Sequence, residues 1–258
     1  MSAPSPPPGG TDAARTVSAP APGDQSADPV AGEVALHCRS VCVSFGGLTV
    51  LDHAELTARR GHVHALIGPN GAGKTTLANV ITGHVRAAAG EVMLNGQPLR
   101  GAPWQRARRG VGRKFQVPRV FPRLTGRQNL ELAGPGAQLD AGGEHLAGIA
   151  DVSGHALSHG LRQWLELQMV LAQRPRLIVL DEPTAGLSRG DRRMLAEAIL
   201  GRRDRVATFL VVEHDLDFIE KIADRVSFMA AGRVEVSGTF DDVRKARQVR
   251  ETYLGSYA

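Results

Sequence analysis

The stretch GPNGAGKT, Gly68 to Thr75, fits the spacing G-x-x-x-x-G-K-[ST]. Backbone N–H groups from Asn70 to Thr76 can wrap phosphate oxygens, with Gly68, Gly71 and Gly73, set among Pro69 and Ala72, letting the chain approach closely. Lys74 offers a point charge to the outer phosphates and Thr75 a hydroxyl to Mg²⁺. Farther along, RLIVLDEP carries Asp181 at the end of an apolar run. A carboxylate placed there can hold Mg²⁺ directly or through water, and Glu182 beside it can orient and polarise an attacking water. VVEHD repeats the device with His214, which can hydrogen-bond a γ-phosphate and the catalytic carboxylate. In LSHGLRQWLEL, Ser158 opens an amphipathic run. It reads either as an N-cap or as part of an anion site at a helix N-terminus.

These residues need a scaffold that brings strand ends together. HVHALIG is a short apolar strand before the glycine loop, and GKTTLANVITGHV has helical spacing through Leu77, Val80 and Ile81. RLIVLDEP and VATFLVVEHD read as buried strands, each followed by a helix: RGDRRMLAEAILGRR and DLDFIEKIAD. Apolar strands alternating with helices imply a parallel sheet covered on both faces, whose ligands bind at the strands' carboxyl ends. Upstream, EVALHCRSVCVSF and LTVLDHAELTARRG alternate with period two around Gly46-Gly47, as a hairpin would. GEVMLNG is another strand, PWQRARRG a short basic helix stopped by Gly110, and RVSFMAAGRVEVSG a hairpin. The tail FDDVRKARQVRETYLG reads as one helix.

Residues 1–33 are rich in Pro, Ala, Ser and Gly, hold almost no large apolar side chain and are expected to be disordered. The remaining chain, 34–258, forms one domain. With 258 residues, 42% hydrophobic, there is enough apolar material for a substantial core. The formal charge of +5 allows an anionic partner without demanding one. No apolar run approaches the ~18 residues of a membrane span, and the N-terminus has no apolar signal core, so a cytosolic chain is expected. Cys38 and Cys42, four apart on one strand, should share a face as reduced thiols, too distant for a comfortable disulfide. The basic cluster QRARRGVGRK reads as a solvated helix face. With only Trp104 nearby it lacks the interleaved aromatics of a nucleic-acid site, and no nucleic acid is expected as partner.

In the order P-loop, Gln116 in GRKFQ, LSHGL, Asp-Glu strand and His214, the chain from 34 to 258 resembles the ATP-binding cassette ATPases. The resemblance implies an α/β P-loop nucleoside-triphosphatase fold: a mostly parallel sheet flanked by helices, an N-terminal antiparallel β subdomain, and a short helical subdomain at about 118–172. It implies ATP and Mg²⁺ as cofactors. Gln116 would reach the metal and water and sense the membrane partner, and Phe45 would stack on adenine. Leu157 to Leu161 match the family's LSGGQ, so Ser158 and the N–H of Gly160 would bind the γ-phosphate of ATP held by the opposite subunit. A kinase or small GTPase lacks that signature helix and switch histidine. Soluble cassette ATPases of ribosomes or DNA usually carry two cassettes or a coiled-coil insertion.

Within the family, GRKFQVPRVFPRLTGRQNL and LSHGLRQWLEL look like the urea-type subunits of the branched-chain amino-acid importer group. The expected function is therefore the motor of an importer for urea or short-chain amides, with branched-chain amino acids as the alternative solute. The expected partners are a second, different ATPase subunit, two membrane permeases and an extracytoplasmic binding protein, with this chain peripheral on the cytoplasmic face. Three features depart from the pattern: Leu161 stands where Gln is usual, the glycine-rich stretch after Gln116 is short, and the N-terminal extension has no counterpart.

Overall fold

The structure, a computed structural model, describes residues 33–115, 117–134, 148–203 and 207–253. The N-terminal extension and Gln116 lie outside them, as does the middle of the expected helical subdomain, 135–147.

An antiparallel sheet comes first. Strands β1 (Val34–Phe45), β2 (Leu48–Arg59), β4 (Ala89–Leu94) and β5 (Gln97–Pro98) pair in the order β2-β1-β4-β5. Gly46 and Gly47 both take positive φ, 53° and 86°, which a two-residue hairpin turn of matching twist requires. The second sheet has the order β10-β9-β3-β8-β7-β6. Its strands are β3 (Val63–Ile67), β6 (Val111–Lys114), β7 (Leu177–Asp181), β8 (Thr208–Val212), β9 (Arg225–Ala230) and β10 (Arg233–Gly238). All neighbours are parallel except β10, which returns antiparallel along β9.

Every residue of β3, β7 and β8 is buried, as a parallel sheet covered on both faces demands. Alternate residues feed two cores. Val179, Leu210 and Val212 join Leu77 and Ile81 of α1 (Lys74–Thr82) and the inner face of the antiparallel sheet. Ile178, Leu180, Phe209 and Val211 join the helices of the other side. Those helices include α3 (Gly126–Ala133), α4 (His159–Ala172), α5 (Arg189–Arg203) and α6 (Leu216–Ile222). The fold is the α/β P-loop type expected from the sequence.

Three local expectations change. The tail forms two short helices, α7 (Phe240–Lys245) and α8 (Arg247–Thr252), broken at Ala246, which is extended (φ −62°, ψ 133°). Val243 and Val249, six residues apart, would lie on divergent faces of one helix, and the break lets both reach the core around Ala65 and Phe228. Cys38 and Cys42 do not share a face. A bulge at Ser40 (φ 48°) shifts the register between Cys38 and Val41, so Cys38 is buried with Val41 and Val43 while Cys42 points away. Both are free, and burial raises the Cys38 thiol to about 12. The basic cluster is only partly a solvated face. On α2 (Pro103–Arg108) Arg106 turns inward, Nη1 donating to the Val80 and Ile81 carbonyls at the end of α1. Lys114 is completely buried.

Candidate active site

Strands β3, β8 and β7 are parallel neighbours, so the segments leaving their carboxyl ends share one sheet edge. From β3 comes the P-loop. Gly68 (φ 147°) passes the carbonyl of Met229, where any Cβ would collide. Gly73 (φ 102°) passes Val50 O and the Leu51 side chain, which would meet a Cβ at 2.9 and 2.8 Å. Asn70, Gly71 and Thr75 are exposed, while Ala72 is buried, its N–H on the Pro69 carbonyl at 3.2 Å. Gly73 caps α1 without a side-chain bond, so the first-turn N–H groups of Lys74, Thr75 and Thr76 face outward at the positive end of the helix. Lys74 Nζ donates to the carbonyls of Gly68 (2.7 Å) and Pro69 (2.8 Å). Burial lowers its pKa, countered by Glu182 and Asp181.

β7 delivers Asp181. Its Oδ1 accepts from Thr75 Oγ1 at 3.4 Å, placing a hydroxyl and a carboxylate side by side. Those two hard oxygens suit Mg²⁺, whose bound form neutralises phosphate charge. Burial raises the Asp181 pKa, and Arg113 opposes the rise with Nη2 3.3 Å from Oδ2. Arg113, on β6, also donates to Asn79 Oδ1 (2.6 Å) and Thr82 Oγ1 (2.8 Å) of α1. It therefore fixes the acid against the helix that bears Lys74 and Thr75. Sequence reasoning missed Arg113, taking it for part of a surface cluster.

Glu182 follows directly, held at φ 45° with its N–H on the Val212 carbonyl at 2.8 Å. A glutamate in the left-handed region is strained by about 1–3 kcal/mol, and such strain concentrates at functional sites. Glu213 and His214 follow the end of β8. His214 emerges exposed at the expected edge, Nδ1 3.3 Å from Glu213 Oε2. Glu213 is fully buried, and its carboxylate bridges to a loop far away in sequence. Its Oε1 accepts from the N–H (3.0 Å) and hydroxyl of Thr184, and its Oε2 from His214 N–H (2.7 Å). This carboxylate joins the loop after Asp181-Glu182 to the histidine. The reading of VVEHD passed over it, although a charge directly after the apolar run FLVV was the available signal.

Ser158 is the N-cap of α4, its Oγ accepting from Leu161 N–H at 3.3 Å. Gly160 lies under Asp191, whose Oδ2 would meet a Cβ at 2.9 Å. His159 Nε2 is 3.0 Å from Gln163 Nε2 and packs beside Gly186. Gln163 also bonds the Ala185 carbonyl (3.1 Å) and accepts from Lys114 Nζ (2.8 Å). Burial lowers the Lys114 pKa and raises that of Glu166, each countering the other. Leu161 and Met169 pack with Leu165 against one core, as their four-residue spacing suggests. Among the described residues no hydrogen bond joins Ser158 or Gly160 to the P-loop. Phe45 stands half-exposed at the tip of the β1–β2 hairpin, whose Val50 and Leu51 touch the P-loop glycine Gly73.

Glycine cradle, lysine, hydroxyl–carboxylate pair and a second carboxylate at one sheet edge define a P-loop nucleoside triphosphatase. A model of the ABC transporter family matches residues 51–185. The chain is 31% identical over 248 residues to the high-affinity branched-chain amino acid transport ATP-binding protein LivG of Escherichia coli K12, covering 85% of this chain and 97% of that one. The corresponding protein BraF of Pseudomonas aeruginosa is 30% identical over 251 residues, with the same coverage. The ADP conformation of MJ1267, an ATP-binding cassette of an ABC transporter, superposes with a TM-score of 0.78 at 27% identity, covering 86% of this chain and 99% of that one. The chain belongs to the ABC transporter family, as an ATP-binding subunit that hydrolyses ATP with Mg²⁺. These relatives favour the branched-chain group over the urea reading of GRKFQ and QWLEL, which finds no support in them.

Proposed function

We propose that this chain is the ATP-hydrolysing subunit of a multi-subunit importer for branched-chain amino acids. The observation that carries the solute class is the match along 97% of the length of LivG. The remaining partners follow from that likeness: a second ATP-binding subunit, two permeases and an extracytoplasmic binding protein. No helix among the described residues is long and apolar enough to cross a membrane, which suits a peripheral place beneath the permeases. In this reading the P-loop and Lys74 hold the phosphates, Thr75, Asp181 and Gln116 the metal, and Phe45 the adenine. Glu182 orients the water and His214 contacts the γ-phosphate. Deleting the gene should cut high-affinity uptake of leucine, isoleucine and valine at least tenfold and leave urea uptake unchanged. Loss of urea uptake alone would reverse the assignment.

Ser158 and Gly160 serve the ATP bound by the partner subunit. Ser158→Ala then removes a phosphate donor and a cap together, and should lower the ATPase rate of the assembled transporter about tenfold, about 1–1.5 kcal/mol. Leu161→Gln restores a polar contact and should raise that rate modestly. An unchanged rate in Ser158→Ala would make this helix start purely structural.

A further inference from the structure

Far from the sheet edge that carries Asp181 in sequence, β1 and β2 hold a second cluster of ligand-type side chains. Val41 pairs with Ala54 and Val43 with Leu51, so Cys42 alone faces both Asp52 and His53. This is a bulge, and it turns two successive residues of β2 to the side of the sheet where Cys42 points, away from the core. His53 takes φ 50° to do so, across from Ser40 at φ 48°. Two strained residues on adjacent strands thus gather a thiol, an imidazole and a carboxylate. The sulfur, one ring nitrogen and one carboxylate oxygen all lie within 4.8 Å of one another. Among the described residues no other group of three His, Cys, Asp or Glu side chains comes so close.

Each of the three is already oriented by a neighbour. Ser40 Oγ bonds His53 Nδ1 at 2.6 Å, leaving Nε2 3.8 Å from Asp52 Oδ1. Arg233 holds the other carboxylate oxygen, with Nε and Nη2 at 3.0 and 2.6 Å from Oδ2. The His53 N–H points to Cys42 Sγ at 3.4 Å. Outer partners of this kind fix ring orientation and steady a thiolate in metal centres. Ligand atoms of a tetrahedral zinc site stand about 3.3–3.8 Å apart, so small side-chain rotations close the set.

We propose that Cys42, Asp52 and His53 form a binding site for a transition-metal ion of the zinc class. Thiolate with imidazole selects zinc or its analogues over the hard ion Mg²⁺ used at the P-loop. The exposure of His53 leaves the fourth position to water. Binding deprotonates Cys42 and releases that proton to solvent. The ion ties β1 to β2 just past the Val43–Leu51 pair, on the side away from Phe45 at the hairpin tip, bracing the hairpin.

The test is Co²⁺ titration of the purified full chain, reduced with a phosphine. A near-ultraviolet thiolate-to-cobalt band and the visible bands of a four-coordinate site are expected. Zn²⁺ should displace them and excess Mg²⁺·ATP should not. Cys42→Ser should abolish the thiolate band, and His53→Ala should weaken binding at least tenfold, both with unchanged circular dichroism. Cys38→Ala, which alters only the buried thiol, should keep the band. Absence of a thiolate band in the parent chain, or its survival in Cys42→Ser, overturns the site.

Discussion

Glu182→Gln should bind ATP as the parent chain does and hydrolyse it about 10²–10⁴-fold more slowly, the usual contribution of a positioned general base. The amide keeps the size of the carboxylate and can keep the backbone geometry, because the positive φ and the bond to Val212 belong to the main chain. What it loses is the ability to take a proton from water. Lys74, Thr75 and Asp181 remain in place, so nucleotide binding persists and the ATP-bound, closed pair of subunits should accumulate. Phosphate release and retained nucleotide, measured on the assembled transporter, read the two halves of the expectation separately. Turnover within threefold of the parent would show that another group handles the water.

Lys74→Ala should show the opposite pattern, losing nucleotide first. In the structure the ammonium is shared between two carbonyls of its own loop, so it already sits where phosphate oxygens can compete for it. A charge-assisted hydrogen bond is worth about 1.5–3 kcal/mol, so ATP affinity should fall about 10²-fold and hydrolysis should drop to background. Titration with a fluorescent ATP analogue gives the affinity. A thermal transition close to that of the parent would show that the P-loop glycines, packed on Met229 and Val50, still fold. Normal turnover in a preparation free of parent enzyme would remove Lys74 from the site.

The parts of the site that were legible in the sequence are those whose meaning is local. Gly68 to Thr75 declares itself because glycine spacing, lysine and hydroxyl act within one turn of chain, between a strand and a helix read from the same neighbourhood. Asp181 and His214 are legible as candidates because one ends an apolar run and the other closely follows one. Arg113 and Glu213 are not, since their roles depend on which strand lies beside which. Arg113 matters because β6 adjoins β7, and Glu213 because the loop after β7 passes over the end of β8. The bulge opposite Cys42 was hidden for a related reason: strict alternation was assumed through β1, and pairing with β2 breaks it. The tail's hydrophobic spacing alone points to one helix, because the core it covers around Phe228 of β9 leaves no mark in that spacing. The urea reading finds less support in the relatives than its branched-chain alternative, and the structure shows why its marks are weak. GRKFQ and QWLEL were treated as marks of what is transported, yet Lys114 of the first is bonded to Gln163 of the second, inside the chain. They report on each other.

That pairing limits how this protein can be recombined. Lys114 comes from the strand leading into Gln116. Gln163 and Glu166 come from the helix that presents Ser158, and Glu166 also accepts the Arg119 N–H beyond Gln116 at 3.2 Å. A chimera that takes residues 111–119 from a relative with an apolar side chain at position 114 leaves the buried Gln163 Oε1 without its donor and removes the positive charge that faces the buried Glu166. One that takes 158–172 strands a buried ammonium. Exchanged singly, either segment leaves uncompensated polarity worth about 1–3 kcal/mol or more in the interior. Only as a matched pair can they be transplanted, so the two segments behave as one module although more than forty positions of chain separate Lys114 from Gln163.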